Sequence, residues 1–169
     1  YELGTIIETP LHKKIDILLA FEVLEHIKDD ELSIKHLHQM LSSNGVLFIS
    51  VPAYQKKWQK QDVYAGHYRR YERKELHTKL SSVGFSNIEI IDYGFPLTSI
   101  MYPFKQMAYR SDKEKSKTER TQNSGVERPL FSKIPTWLII IAYFPFFILQ
   151  WLFINRSLGD GFIVIAKKS

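Results

Sequence analysis

A chain of 169 residues that is 44% hydrophobic and 24% charged has room for one domain with a sizeable core, which excludes disorder throughout and collagen-like repeats. Twenty-three Lys and Arg against 18 Asp and Glu leave a net charge of +5, too mild a basicity for a nucleic-acid-binding signature. The absence of cysteine removes disulfides, thiolate metal sites and cysteine nucleophiles together, and fits a reducing, cytoplasmic setting.

In chain order, Ile15 to Phe21 (IDILLAF) is almost wholly apolar and too short for a lone helix, which predicts a strand covered on both faces. Asp29, Asp30 and Glu31 then supply an acidic helix start. Leu32, Ile34, Leu37, Met40 and Leu41 recur at near-helical spacing, so a helix is expected to run up to Gly45. Val46 to Val51 reads as a second buried strand stopped by Pro52, Glu72 to Val83 as a second helix stopped by Gly84, and Asn87 to Tyr93 as a third strand. Strands and helices alternating through short connections predict parallel crossover units, hence an α/β sheet flanked by helices.

Residues 105–133 are rich in Lys, Arg, Ser, Glu and Thr and read as a surface loop or a disordered insert. Ile134 to Ile154 follows with no charge in 21 residues. About 20 apolar residues suffice to span a bilayer. Pro145, Gln150 and the return of the chain to a last strand at Gly161 to Lys168 argue against a span. Two other readings stand beside it: a segment lying on a bilayer surface, which Trp137, Tyr143 and Trp151 suit, and an insert packed on its own domain or a partner. Gly159-Asp160-Gly161 precedes a strand instead of opening a helix, and reads as a turn.

The run Asp16 to His26 (DILLAFEVLEH) leads through a helix into NGVLFISVP, and Asp62 to Tyr71 (DVYAGHYRRY) is followed by Glu75-Leu76 and Val83-Gly84-Phe85. These ordered motifs resemble the second half of class I S-adenosylmethionine-dependent methyltransferases, in their small-molecule branch. The resemblance covers Leu3 to about Tyr93, and Gly159 to Lys168 matches the family's final antiparallel strand. It implies a partial Rossmann-like sheet over 1–94, an insert over 95–158 with an apolar helical part at 134–154, and a final core strand in 159–169. It also implies S-adenosylmethionine as cofactor, with Ala20 and Phe21 against its methionine part and Thr5 and Ile6 near its adenine. The family's glycine-rich loop and ribose-binding acid have no counterpart in this sequence, which opens on Tyr1. The expectation is a carboxyl-terminal portion that is inactive as an isolated chain.

Within that frame His67 is the candidate general base, since a neutral imidazole near pH 7 can take a proton from a hydroxyl. Glu22 is the second catalytic candidate, with a cofactor-orienting role as its alternative. Glu25 and His26 are expected to cap and hydrogen-bond the turn between strand and helix. Arg69 and Arg70 either clamp a carboxylate or phosphate of the substrate or tie their loop to the next helix. Tyr64, with Trp58, suits an apolar lid over the substrate. No metal ligand set is read, because His36 and His38, two apart on a helix, point to different faces. Two functions follow as expectations: methyl transfer to a small or lipid-linked acceptor, or a non-catalytic, membrane-attached interaction module that keeps half of the fold.

Overall fold

The computed structural model of the protein describes residues 14–101, 135–154 and 156–169. Four strands form one sheet: β1 (Ile15–Phe21), β2 (Leu41–Pro52), β3 (Phe85–Tyr93) and β4 (Gly161–Lys168), in the spatial order β1-β2-β4-β3. β1 and β2 are parallel, joined by helix α1 (Asp30–Met40) as the crossover reading requires. The last strand enters between β2 and β3 and runs antiparallel to both. Helices α2 (Lys60–Ala65) and α3 (Arg73–Val83) lie between β2 and β3, and α4 (Thr136–Trp151) precedes β4. This is a mixed α/β sheet flanked by helices.

The apolar side chains that alternate along the strands explain the core. Leu18, Ala20, Leu47, Ile49, Val51, Ile90, Phe162, Val164 and Ala166 are buried with Ile34 and Leu37 of α1 and Leu76 and Leu80 of α3. At about 25 cal/mol per Å2 of apolar surface, this burial is the main stabilising contribution to the sheet. α1 starts where the Asp29 carboxylate accepts from the Leu32 amide at 3.0 Å, and α3 stops where Gly84 takes the left-handed conformation, φ 109°. The Gly159-Asp160-Gly161 turn leads into β4, and a Cβ at Gly161 would run into the Tyr93 ring opposite it.

Two expectations need correction. β1 is covered on one face only among the described residues: Leu18 and Ala20 are buried, while Ile17, Leu19 and Phe21 are each more than half exposed. Strand geometry sends alternate side chains to opposite faces, and α1 and α3, which pack against each other, cover one of them. α1 also ends at Met40, not at Gly45. Leu41 is extended and pairs with Ile15, whereas the next paired residue, Ile17, faces Val46. Ser42 to Gly45 therefore form an excursion within β2, with Asn44 at φ 66°.

The basic stretch expected over 105–133 lies outside the described residues. α4 is 16 residues long, and no described helix is long and apolar enough to cross a membrane. Its carboxyl end meets the sheet: the Gly94 amide donates to Gln150 Oε1 at 3.0 Å, and Phe95 stacks edge-on against Phe153. Away from that anchor it exposes Trp137, Ile140, Ile141, Phe144, Phe147, Ile148 and Trp151.

Candidate active site

The carboxyl ends of β1 and β2 set the first wall of the site. Glu22, just past β1, takes φ 52°, an unusual conformation for a side-chain-bearing residue. Its amide donates to the Ser50 carbonyl (2.9 Å) and Ser50 Oγ (3.1 Å), while its Oε1 accepts from Ser50 Oγ (2.8 Å) and Tyr93 Oη (3.1 Å). Glu22 thus ties the end of β1 to β2 and β3. Beside it the Phe21 ring is half exposed, whereas the Ala20 methyl is turned into the core. Thr5 and Ile6 lie outside the described residues.

A 3-10 turn over Leu24–His26 follows, and it carries the least ordinary side chain in the structure. Glu25 is fully buried, yet neither carboxylate oxygen has a hydrogen-bond partner. The cap expected of it is absent, since Asp29 caps α1 instead. Burial pushes the Glu25 carboxyl up to about 7, with the negative neighbours Glu22 and Asp62 adding to the shift against the pull of its own backbone amide and His67. His26 Nε2 stands 3.7 Å from Glu25 Oε1, too far for a hydrogen bond. Partial burial and the neighbouring His67 hold the His26 pKa below its ordinary value.

The second wall is the loop after α2. Gln59 and Asp62 make a reciprocal cap at the helix start, and Gly66 in the left-handed region, φ 80°, turns the chain back. That reversal brings His67 Nδ1 to 3.0 Å from Asp62 Oδ1. The same oxygen accepts from Arg70 Nε at 2.9 Å, and Oδ2 accepts from the Gln59 amide at 2.8 Å. Burial alone would raise the Asp62 pKa, but His67, Arg70 and the Gln59 amide outweigh it and hold the group below the usual range. An ionised Asp62 only accepts, so His67 Nδ1 is the donor of this pair and Nε2 is the ring nitrogen left for another partner. The Tyr68 amide donates to the Glu25 carbonyl at 2.7 Å and clamps this loop to the 3-10 turn. The His26 and His67 rings then meet edge to face, centroids 4.7 Å apart. One donor atom each of Glu25, His26 and His67 lies within 4.8 Å of the others.

The two arginines turn inward. Arg69 donates to Asp30 Oδ1 and the Lys28 carbonyl, both at 2.5 Å, and Arg70 spans Asp62, Asp160 Oδ1 (3.1 Å) and the Ala53 carbonyl. Tyr64 sits half-buried on α2. The structure therefore brings Glu25, His26 and His67 together, with Glu22 and Phe21 at the neighbouring strand end. Asp62, which orients His67, was not singled out from the sequence. Its signal was an acid five residues before a histidine, with a glycine between them to turn the chain.

A family model described as a methyltransferase domain matches residues 5–90, just over half of the chain. No curated protein matches it. Among solved structures, the chain is similar to a SAM-dependent methyltransferase from Thermotoga maritima described as a possible histamine N-methyltransferase (TM-score 0.57, 14% identity, 98% of this chain and 62% of that one). It is similar also to the [4+2]-cyclase SpnF (0.56, 14%, 99% and 56%) and to a putative sarcosine dimethylglycine methyltransferase from Galdieria sulphuraria (0.56, 12%, 98% and 58%). At these identities the likeness is one of fold. The chain spans roughly three-fifths of the length of each.

Proposed function

This chain belongs to the family of methyltransferase domains, and from that membership we propose that it forms the acceptor-facing part of a site for S-adenosylmethionine-dependent methyl transfer to a small or lipid-linked molecule. The observation that carries the reading is the Asp62–His67 pair, which fixes the imidazole on a loop clamped, through Tyr68 and Glu25, to the turn that follows β1. In open α/β sheets, the carboxyl ends of the strands are where ligands bind.

One side of the cofactor fits the residues present. The exposed Phe21 ring offers an apolar wall, and Glu22, fixed by Ser50 and Tyr93, holds the strand end rigid beside it. Ala20 can contribute only its backbone, since its methyl is buried; Thr5 and Ile6 stay assigned to the adenine side through the family resemblance alone. When bound, S-adenosylmethionine supplies an electrophilic methyl carbon on a sulfonium. The chain's own part is positioning: Phe21 shields that region from water, and His67 Nε2 meets the acceptor's oxygen or nitrogen. Arg69 and Arg70 hold the loop that carries His67, because their donors are taken by Asp30, Asp62 and Asp160.

In the protein that carries this chain, His67→Ala should lower turnover about 100-fold or more while S-adenosylmethionine affinity stays within about twofold. Equal losses in both would make His67 a structural residue, and unchanged turnover would remove it from the site.

The exposed side chains of α4 favour a second element, attachment to a membrane surface, which suits a lipid-linked acceptor and equally a non-catalytic module. Trp137 and Trp151 at its two ends are residues that favour the bilayer interface. Co-sedimentation with anionic vesicles should be lost in the Phe144→Glu, Phe147→Glu double variant. Sedimentation unchanged by that variant would exclude α4 as the attachment. SpnF marks the rival for the chemistry: a cyclase shares this fold, so the reaction rests on the site and not on the sheet.

A further inference from the structure

Four carboxylates are buried among the described residues, and three of them are fully accounted for. Asp30 accepts from Tyr71 Oη and Lys79 Nζ and pairs with Arg69. Asp62 is held by His67, Arg70 and the Gln59 amide, and Asp92 by Tyr54 Oη and Arg73. Glu25 is the exception: it is 0% exposed, with both oxygens unpartnered. A buried carboxylate without a partner costs several kcal/mol as an ion, and as a neutral acid it still leaves an unmet donor.

We propose that Glu25, His26 and His67 bind a divalent first-row transition cation. The carboxylate and one nitrogen from each of the two imidazoles form a mixed oxygen and nitrogen donor set, which suits zinc, iron or nickel; magnesium and calcium prefer all-oxygen shells. Asp62 supplies what such a set needs behind it. By accepting the hydrogen bond from His67 Nδ1–H, it fixes the ring's orientation and leaves Nε2 as the nitrogen that binds the cation, as carboxylates do behind histidines that bind metal.

The donor atoms now lie within 4.8 Å of one another, and a cation about 2.0–2.2 Å from each draws them closer together. His26 is the member with room to move, its side chain being 41% exposed, and it is also the side from which an ion enters. Three protein ligands leave coordination positions open for water or an acceptor hydroxyl, whose pKa a bound cation lowers. The site stands on its donor set whether or not the chain transfers a methyl group.

The test is a calorimetric titration of the chelator-treated protein with zinc chloride. The expected result is saturable 1:1 binding with a micromolar or tighter dissociation constant, weakened at least tenfold in Glu25→Gln, His67→Ala and the surface variant His26→Ala, each checked for native circular dichroism. Asp62→Asn should weaken it about 10- to 100-fold through the orientation of His67. His36→Ala, on the exposed side of α1, should leave it unchanged. No saturable binding, or binding that survives both Glu25→Gln and His26→Ala, overturns the proposal. In the protein that carries this chain, zinc binding without methyl transfer would defeat the methyl-transfer function and leave the cation site intact, whereas turnover without zinc binding would do the reverse.

Discussion

On either side of the 3-10 turn at Leu24–His26, buried charge is treated in opposite ways. The Asp30 and Asp62 networks give every carboxylate oxygen a cation, a hydroxyl or an amide, and they join α1, α3 and the loop after α2 into one body. Glu25 lies between them with its oxygens unmet, held in place by a backbone bond from Tyr68. The difference separates charges that hold the fold from a charge that the fold holds. A paired group stabilises its surroundings in the free protein; an unpaired one costs stability until something binds to it.

The comparison breaks most visibly at Asp62. Asp62→Ala leaves Arg70 buried with only Asp160 as an acidic partner and should cost about 3–5 kcal/mol, read as a lower urea midpoint. A loss below about 1 kcal/mol would mean that the network is not structural. Asp30 gives a pH test. Burial pushes its pKa up, but Lys79, Tyr71 and Arg69 outweigh that and leave it lowered in the folded state. Its contribution is therefore complete above the ordinary value of 3.8 and is lost as pH falls through the folded-state value. Asp30→Asn should cost about 1–3 kcal/mol at pH 7, with the gap from the parent protein closing in acid; a gap that widens in acid would contradict the pairing.

At Glu25 the sign reverses and the effect is smaller. With a pKa of about 7 in the folded chain and 4.5 as its ordinary value, Glu25 costs stability progressively as pH rises above 4.5, and the cost is complete above about pH 7. In chelated protein at pH 8, Glu25→Gln should raise stability by about 1 kcal/mol, and the gain should shrink as pH falls and be lost below the ordinary value of 4.5. A loss at pH 8 would show that Glu25 has a partner in solution.

Much of the sheet was legible because apolar runs of strand length state their own limits: Ile15–Phe21 and Gly161–Lys168 fall where the sequence places them. The end of α1 was not, because Leu41 continues a helical spacing while its actual partner, Ile15, is distant in sequence. The run IDILLAF could not say which of its faces would be covered, since cover depends on what packs there. α2 was missed because six residues, KQDVYA, hold too little apolar periodicity to register. For the site, His67 was visible as a histidine in a motif, but Glu25 was not: a glutamate at a helix entrance reads as a cap, and only burial without a partner distinguishes it. The arginine pair left two roles open in the sequence, and the carboxylates of Asp30, Asp62 and Asp160, all some distance along the chain from one another, engage both.

The claim that Glu25 is a charge held for a ligand is tested most directly by locating the ligand. Crystals of the protein grown with zinc and measured on both sides of the zinc absorption edge should show one dominant anomalous peak bounded by Glu25, His26 and His67, with donor distances of about 2.0–2.2 Å. A dominant peak elsewhere, on His36 or His77 for instance, with none beside Glu25, would contradict the account.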